Sequence, residues 1–258
     1  SVTVLDGATF YDCKSLEKVK LPDNIKKIDN YTFNNCESLT DVNIPDSVQS
    51  IGNGAFNNCK SLADVNIPDS VQSIGETAFY GCSSLKEIVI PQNITTIEKS
   101  TFGYCTSLEK VIMNEDGIIS IGNGAFKSCY ILKELTIPES VQSIGAEAFE
   151  RTGLTSVVIP QGVTNIEEGT FWSCDHLEKV VVPDEGIISI GSYAFSYCNN
   201  LKDFTIPSSV QSVGSFAFAG AGLTSVVIPQ GVTKIQNATF RDCLALEEVT
   251  IAEDSVTN

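Results

Sequence analysis

A repeat solenoid of short parallel β-strands is the fold that this sequence predicts. One phrase recurs along the chain every 22 to 24 residues, apolar and polar residues alternate within it, and proline and glycine stand at constant positions. A period in this range is typical of proteins whose units stack only on their neighbours. The phenylalanine of an Ala-Phe or Thr-Phe pair marks about eleven coils: Phe10, Phe33, Phe56, Phe79, Phe102, Phe126, Phe149, Phe171, Phe195, Phe218 and Phe240.

Each copy of the phrase begins with a short strand. In the third copy Val65 and Ile67 alternate with polar neighbours, so both are expected to point inward. Pro68 ends this strand, because proline cannot donate a hydrogen bond to a strand ladder. Residues 71–74 are then predicted to form a second extended segment.

The second half of each copy is predicted to turn sharply. Gly75 permits a tight turn after the second extended segment. The following stretch, ETAFYGC at 76–82, is expected to form one short helical turn. Phe79 and Cys82 are three residues apart and would share one face of that turn.

Two forms of the turn alternate in an orderly way. Most copies carry glycine four residues before the phenylalanine and alanine directly before it, as in Gly75 and Ala78. Every third copy from Phe33 carries an acidic residue or glutamine and then threonine, as in Glu98 and Thr101. Residues 102–170 match 171–239 at an offset of 69, so the genetic unit is interpreted as three coils and the physical unit as one.

The complete pattern, L-x-x-V-x-I-P…V-x-x-I-G-x-x-A-F-x-x-C, resembles the BspA-like, Treponema-type leucine-rich repeats. The resemblance covers essentially the whole chain, so residues 1–258 are interpreted as one solenoid domain, a piece of a longer protein. It implies a right-handed leucine-rich-repeat superhelix found in surface proteins of bacteria and some parasitic protists. Members are described as adhesins for host matrix proteins or other microbes. The family pattern contains no catalytic, cofactor or metal motif.

Nine cysteines each stand three residues after a repeat phenylalanine. The two copies without one, at Thr152 and Ala221, are also one residue shorter before the next leucine, so the thiol belongs to the geometry of that turn. We favour a column of buried free thiols that act as small hydrophobic residues. Disulfides between coils and a zinc site are the alternatives, although cysteines 23 residues apart do not form the usual C-x-x-C pairs.

Specificity is expected at strand positions that face outward, because packing dictates the inward ones. The first two outward positions form charge pairs such as Lys86-Glu87 and Glu109-Lys110, whose signs alternate down the stack and predict a self-paired, solvated surface. The third position is β-branched from Val89 onward, which indicates either a partner-binding stripe or plain strand propensity. The candidate partner-binding residues are Val89, Ile112, Thr136, Val158, Val181, Thr205 and Val227.

Composition narrows the class of partner. The formal net charge of -16 argues against nucleic acid and anionic membranes, which bind clustered lysine and arginine. No apolar run reaches the roughly 18 to 20 residues that span a bilayer. The acidic inserts NEDG (114–117) and PDEG (183–186) are compatible with calcium binding. An ordinary turn is the default interpretation of both inserts. The only histidine, His176, is expected in an exposed turn, which leaves little scope for a catalytic triad.

The predicted function is adhesion. The resemblance implies an extracellular or cell-surface protein that binds a host or matrix protein, with no cofactor and no direct membrane insertion. The alternative is a passive stalk that presents another domain. An enzyme is not expected, because catalysis needs unlike groups that converge and this chain offers like groups in rows. The sequence does not specify the partner or the oligomeric state.

Overall fold

A computed structural model describes residues 2–252, which form one continuous solenoid of parallel strands. Each coil contributes a strand to one or both of two columns. The first column holds strands of three or four residues: β1 (Lys18–Lys20), β3 (Asp41–Asn43), β6 (Glu87–Val89), β8 (Lys110–Ile112), β11 (Ser156–Val158), β13 (Lys179–Val181), β16 (Ser225–Ile228) and β17 (Glu248–Ile251).

The second column holds strands of two residues, which correspond to the second extended segment predicted from sequence. These are β2 (Lys27–Ile28), β4 (Ser50–Ile51), β5 (Ser73–Ile74), β7 (Thr96–Ile97), β9 (Ser120–Ile121), β10 (Ser143–Ile144), β12 (Asn165–Ile166), β14 (Ser189–Ile190) and β15 (Ser212–Val213).

Both columns are divided into short sheets with a period of three coils. The first column consists of the pairs β1-β3, β6-β8, β11-β13 and β16-β17, and the second of the triples β2-β4-β5, β7-β9-β10 and β12-β14-β15. All pairs are parallel, and residues at equivalent repeat positions face each other, as Val89 faces Ile112. The three-coil unit read from the sequence is therefore also a unit of sheet structure.

Three coils contribute no strand to the first column. They pass through it at residues 63–67, 133–137 and 202–206. The strand predicted around Val65 and Ile67 is therefore wrong, although both side chains are 6% exposed and point inward as expected. Burial of every second residue requires only an extended backbone, whereas a strand also requires hydrogen bonds to a neighbour.

The turn that carries the phenylalanine is not helical, contrary to the prediction for residues 76–82. Phe79 donates its N–H to Thr101 O of the next coil at 2.9 Å, whereas Tyr80 donates to Thr77 O of its own coil at 3.1 Å. Thr77 and Gly81 have φ values of 54° and 71°, in the left-handed region. A helix directs every N–H to the residue four positions earlier, so alternation between two coils excludes it.

The two sequence forms of the turn have distinct contacts. A Cβ atom on Gly75 would lie 2.6 Å from the backbone N of Asn53, so the coils approach too closely there for a side chain. In the other form the hydroxyl of Thr101, which is 1% exposed, donates to Glu98 O at 2.8 Å. The same bond recurs at Thr32, Thr170 and Thr239. Threonine therefore satisfies its buried hydroxyl within its own turn.

The centre of the core is a column of phenylalanine rings. From Phe10 to Phe240, neighbouring rings stack with centroids 5.2 to 5.8 Å apart and interplanar angles of at most 14°. These distances suit offset stacking, which aromatic pairs prefer over a face-to-face sandwich. The nine rings from Phe33 to Phe218 are fully buried, so this column fills the centre of the coils.

The cysteines line the column as free thiols. Seven of the nine are buried, Cys13 is exposed, and Cys243 is half-buried. Each buried thiol donates to the phenylalanine carbonyl of the preceding coil, as Cys105 does to Phe79 O at 3.2 Å. Phe79 O also accepts from the backbone N–H of Cys82, so both lone pairs of the carbonyl are used. The thiol therefore links neighbouring coils as well as filling space.

We predict that removal of one ring destabilises the stack. Phe126→Ala should lower the free energy of unfolding by about 3–5 kcal/mol, because it deletes a buried ring between two stacked neighbours. The urea midpoint followed by circular dichroism measures this. Tyr130→Ala is the control, since Tyr130 is 49% exposed in the adjoining turn and should change stability by less than about 0.5 kcal/mol. Equal shifts for the two variants would contradict the stacking account.

We also predict that alkylation distinguishes the thiols. Burial raises the pKa of Cys129 to about 12 and that of Cys174 to about 11, and the thiolate is the reactive form. Native protein treated with iodoacetamide at neutral pH should therefore gain mass mainly from Cys13 and Cys243. Denatured, unreduced protein should gain nine adducts, one for each cysteine. Fewer than nine would reveal disulfides, and rapid native labelling of all of them would contradict their burial.

Candidate functional site

The seven residues predicted to bind a partner all lie on the outward surface of the first strand column, here called the strand face, and all are exposed. Parallel strands direct alternate residues to opposite sides, so the residues between the buried ones project into solvent. The five apolar members expose 39% to 54% of their surface, namely Val89, Ile112, Val158, Val181 and Val227. Thr136 and Thr205 are exposed as well.

The stripe is not continuous. Val89 pairs with Ile112 in β6-β8, and Val158 pairs with Val181 in β11-β13. We call these two pairs the first and second apolar pads. Thr136 lies between the pads on a coil that has no strand, so the face alternates between apolar pads and unpaired coils rather than forming the uniform stripe expected from sequence.

The charged positions of the strand face contribute little. Of the residues predicted to pair in alternating sign there, Lys110 and Glu87 form the one ion pair in the described part of the chain, with Nζ and Oε1 2.9 Å apart. Both side chains are about half exposed, and ion pairs of this kind stabilise by about 0–1 kcal/mol. The other charged residues of this set are exposed and form no ion pair within residues 2–252.

A cleft lies at each of the three coils that lack a strand. The first cleft, at residues 63–67, has a volume of about 470 Å³. The second cleft, at 133–137, consists of two adjoining parts of about 730 and 600 Å³. The third cleft, at 202–206, has a volume of about 1110 Å³. All three open on the strand face beside the apolar residues of neighbouring strands.

The acidic inserts border two of these clefts. Glu115 and Asp116 of the first insert line the second cleft, and Asp184 of the second insert lines the third cleft. The coil before the first cleft has no insert, so an insert is not required for the interruption of the sheet. Within residues 2–252, no cluster of three or more histidine, cysteine, aspartate or glutamate residues is arranged to hold a metal ion.

The opposite side of the molecule, built from the phenylalanine turns, is the aromatic side. All seven tyrosines and Trp172 lie within four residues of a repeat phenylalanine. Tyr193 stacks on Phe216 with centroids 5.0 Å apart, and Trp172 packs against Tyr193 at 5.7 Å with its ring tilted by 38°; all three are half-buried. His176 is exposed on this side, as predicted. Sequence reasoning missed the concentration of aromatic residues, although their constant offset from the phenylalanine could have revealed it.

One buried charge lies on the aromatic side. The carboxylate of Glu150 is 2% exposed, and its Oε2 lies 2.7 Å from Lys127 Nζ, an ion pair without hydrogen-bond geometry. Lys127 also donates to Glu147 Oε2 at 2.6 Å. Partial burial lowers the pKa of Lys127, but the two carboxylates outweigh this and raise it above its ordinary value. Lys127 therefore stays charged at neutral pH and neutralises Glu150.

Coils that stack only on their neighbours place this chain in the class of solenoid repeat proteins. The family model described as "BspA type Leucine rich repeat region (6 copies)" matches residues 3–131 and 119–247. The chain therefore belongs to the BspA-type leucine-rich-repeat family, as the sequence pattern predicted. Leucine-rich-repeat proteins generally bind proteins and are typically non-enzymatic.

Solved structures similar to this chain include two bacterial leucine-rich-repeat proteins. A leucine-rich repeat protein from Bacteroides ovatus ATCC 8483 shares 25% identity with a TM-score of 0.67, over 94% of this chain and 74% of that one. A leucine rich cell surface protein from Faecalibacterium prausnitzii A2-165 shares 26% identity with a TM-score of 0.59, over 98% and 84%. No curated protein sequence matches. No helix in residues 2–252 is long and apolar enough to span a bilayer.

We predict that Lys127→Met lowers the free energy of unfolding by roughly 3 kcal/mol at neutral pH, because it leaves the charge of Glu150 buried without its main partner. Chemical unfolding measures the loss. The double variant Lys127→Met/Glu150→Gln should recover part of it, since no buried charge remains. Lys133→Met, on the exposed strand face, is the matched control and should be nearly neutral. An equal loss in control and test variants would exclude this role for the pair.

Proposed function

We propose that this chain is part of a cell-surface or secreted adhesion protein whose strand face binds a host or extracellular-matrix protein. The observation that carries the proposal is the pair of apolar pads. Val89, Ile112, Val158 and Val181 stay exposed on a face built from parallel strands, where packing does not require them to be apolar. Exposed apolar patches of this kind mark contact surfaces.

Family membership supports the same proposal. The similar protein from Faecalibacterium prausnitzii is described as a cell surface protein, and leucine-rich repeats generally bind proteins. The net charge of -16 disfavours nucleic acid and anionic lipid as ligands, which leaves protein as the best match for the strand face. The extended solenoid offers a broad surface of the kind that protein partners use.

The two pads can be tested by substitution. The variant Val89→Ser/Ile112→Ser/Val158→Ser/Val181→Ser should weaken binding to a matrix protein at least about tenfold, because it removes the apolar contact area. Its melting temperature should change by less than about 2 °C, since the side chains are exposed. Biolayer interferometry against a panel of purified extracellular-matrix proteins measures the binding.

The matched control places the same change on the other side of the molecule. Tyr130→Ser/Tyr197→Ser removes two side chains that are 49% and 50% exposed on the aromatic side, and it should leave binding unchanged. Equal weakening by both variants would contradict a role for the strand face. Failure of the wild-type chain to bind any panel protein would favour a passive stalk instead.

A further inference from the structure

A cavity of about 380 Å³ lies on the aromatic side, at the shortened coil that has Thr152 in place of a cysteine. Between the cysteine position and the next leucine, the two neighbouring coils carry two residues each, at 130–131 and 175–176, whereas this coil carries only Gly153. Gly153 packs directly on the preceding coil, since a Cβ atom there would lie 2.3 Å from Tyr130 O. The missing residue therefore leaves a gap between the side chains of the coils before and after it.

Unlike polar groups converge around this gap. The side chains that line the cavity are Tyr130, Arg151, Thr152, Ser173, Asp175 and His176. They include the only histidine and one of the two arginines of the chain. Within residues 2–252, neither the carboxylate of Asp175 nor the ring of His176 forms a hydrogen bond or an ion pair. The cavity therefore offers a carboxylate, a guanidinium group, an imidazole and hydroxyl groups to a ligand.

The walls are held in place without a ligand. The backbone N–H of Arg151 donates to Trp172 O at 2.8 Å, and its guanidinium carbon lies 5.9 Å from the centroid of the Trp172 ring. Arg151 Nε is also 3.8 Å from Oε1 of the buried Glu150. The hydroxyl of Thr152, which is 3% exposed, donates to Phe149 O at 2.9 Å. A site ordered in this way spends little free energy on ordering when a ligand binds.

The second shortened coil, at residues 221–222, shows that the fold does not require these polar groups. A Cβ atom on Gly222 would lie 2.1 Å from Asn199 O, so the backbone makes the same close approach. At the offset of 69 residues, the counterparts of Tyr130, Arg151, Asp175 and His176 are Asn199, Gly220, Leu244 and Ala245. None of these is charged or aromatic. Coil geometry therefore accounts for the gap but not for the polar groups around it.

The chemistry of the lining matches a sugar ring. A hydroxyl group both donates and accepts, so neighbouring sugar hydroxyls can donate to the Asp175 carboxylate and accept from the Arg151 guanidinium. The C–H side of a sugar ring is apolar and packs on an aromatic ring such as that of Tyr130, which is 49% exposed. Because Arg151 and Asp175 have opposite charges, the cavity favours a ligand without net charge.

We infer that this cavity binds a neutral pyranose sugar. The site goes beyond the proposed function, since it lies on the aromatic side and takes a different class of ligand. A hexose has about twelve non-hydrogen atoms, which at ordinary ligand efficiency corresponds to a Kd of about 1 mM. Binding of one sugar at this strength adds little to a protein contact, so Tyr130→Ser/Tyr197→Ser remains a valid control for the pads.

The test uses the methyl glycosides of glucose, galactose, mannose and N-acetylglucosamine. Saturation-transfer NMR should show at least one of them binding with a Kd of about 1 mM, and with strongest transfer to the ring protons of one side. Fluorescence of Trp172, the only tryptophan, should change with the same constant, because Arg151 lies over its ring. Sodium acetate and glycine, which offer charges without a sugar ring, should not bind.

Protein variants locate the sugar. Tyr130→Ala and Asp175→Asn should each weaken binding about fivefold or more, because one removes the stacking surface and the other the charged acceptor. Tyr130→Asn/Arg151→Gly/Asp175→Leu/His176→Ala installs the residues of the second shortened coil and should abolish binding in the NMR experiment. The chain already holds these residues at equivalent positions, so circular dichroism should stay unchanged.

The matched control is Asn199→Ala in the second shortened coil, which should change the Kd by less than about twofold. The inference is overturned if every sugar of the panel has a Kd above about 10 mM, or if acetate or glycine binds more tightly than all of them. Equal effects of Asn199→Ala and the cavity variants would also exclude this site. Loss of sugar binding in the four-serine variant of the pads would place the sugar on the strand face instead.

Discussion

Backbone hydrogen bonds between neighbouring coils are the interaction on which the rest of this structure depends. In each phenylalanine turn alternate N–H groups donate to the next coil, as Phe79 does to Thr101 O, so adjacent coils must stay in register. Register places like residues above like residues, and it therefore stacks the phenylalanine rings and lets each buried thiol reach a carbonyl of the preceding coil. A side chain that does not fit one coil disturbs two neighbours, which explains why the inward positions repeat so closely.

The same constraint leaves function to the outward positions. Nothing in the stacking requires Val89 or Val158 to be apolar, because both project into solvent from their strands. The strand face presents apolar pads separated by clefts, whereas the opposite side presents aromatic residues and the buried Lys127–Glu150 pair. The two sides therefore differ in chemistry although both repeat with the coil. The strand face is the side on which apolar pads and exposed carboxylates lie together.

Some of the acidic residues lie at specific places on the strand face. A net charge of -16 spread evenly would serve mainly solubility, but the two inserts place carboxylates at the rims of the second and third clefts. The first cleft has the same unpaired coil without the insert. The three clefts recur at intervals of three coils. All three contain a coil without a strand, whereas only the second and third are bordered by an acidic insert. Such variation on a constant frame is how repeat proteins acquire distinct binding surfaces.

The sequence alone determined the solenoid, the inward residues, the buried thiols and the exposure of the candidate stripe, because each follows from a period and an alternation that local chemistry imposes. Tertiary structure decided the rest. The turn at 76–82 has helix-like spacing of Phe79 and Cys82, yet bonds to the next coil hold Thr77 at positive φ and exclude a helix. Val65 is buried as predicted, but its coil lacks a strand, because alternation of apolar residues indicates burial only, whereas a strand also requires hydrogen bonds to a neighbouring coil. The meeting of the NEDG insert with residues 133–137 is likewise a contact between successive coils, and only the stack brings them together.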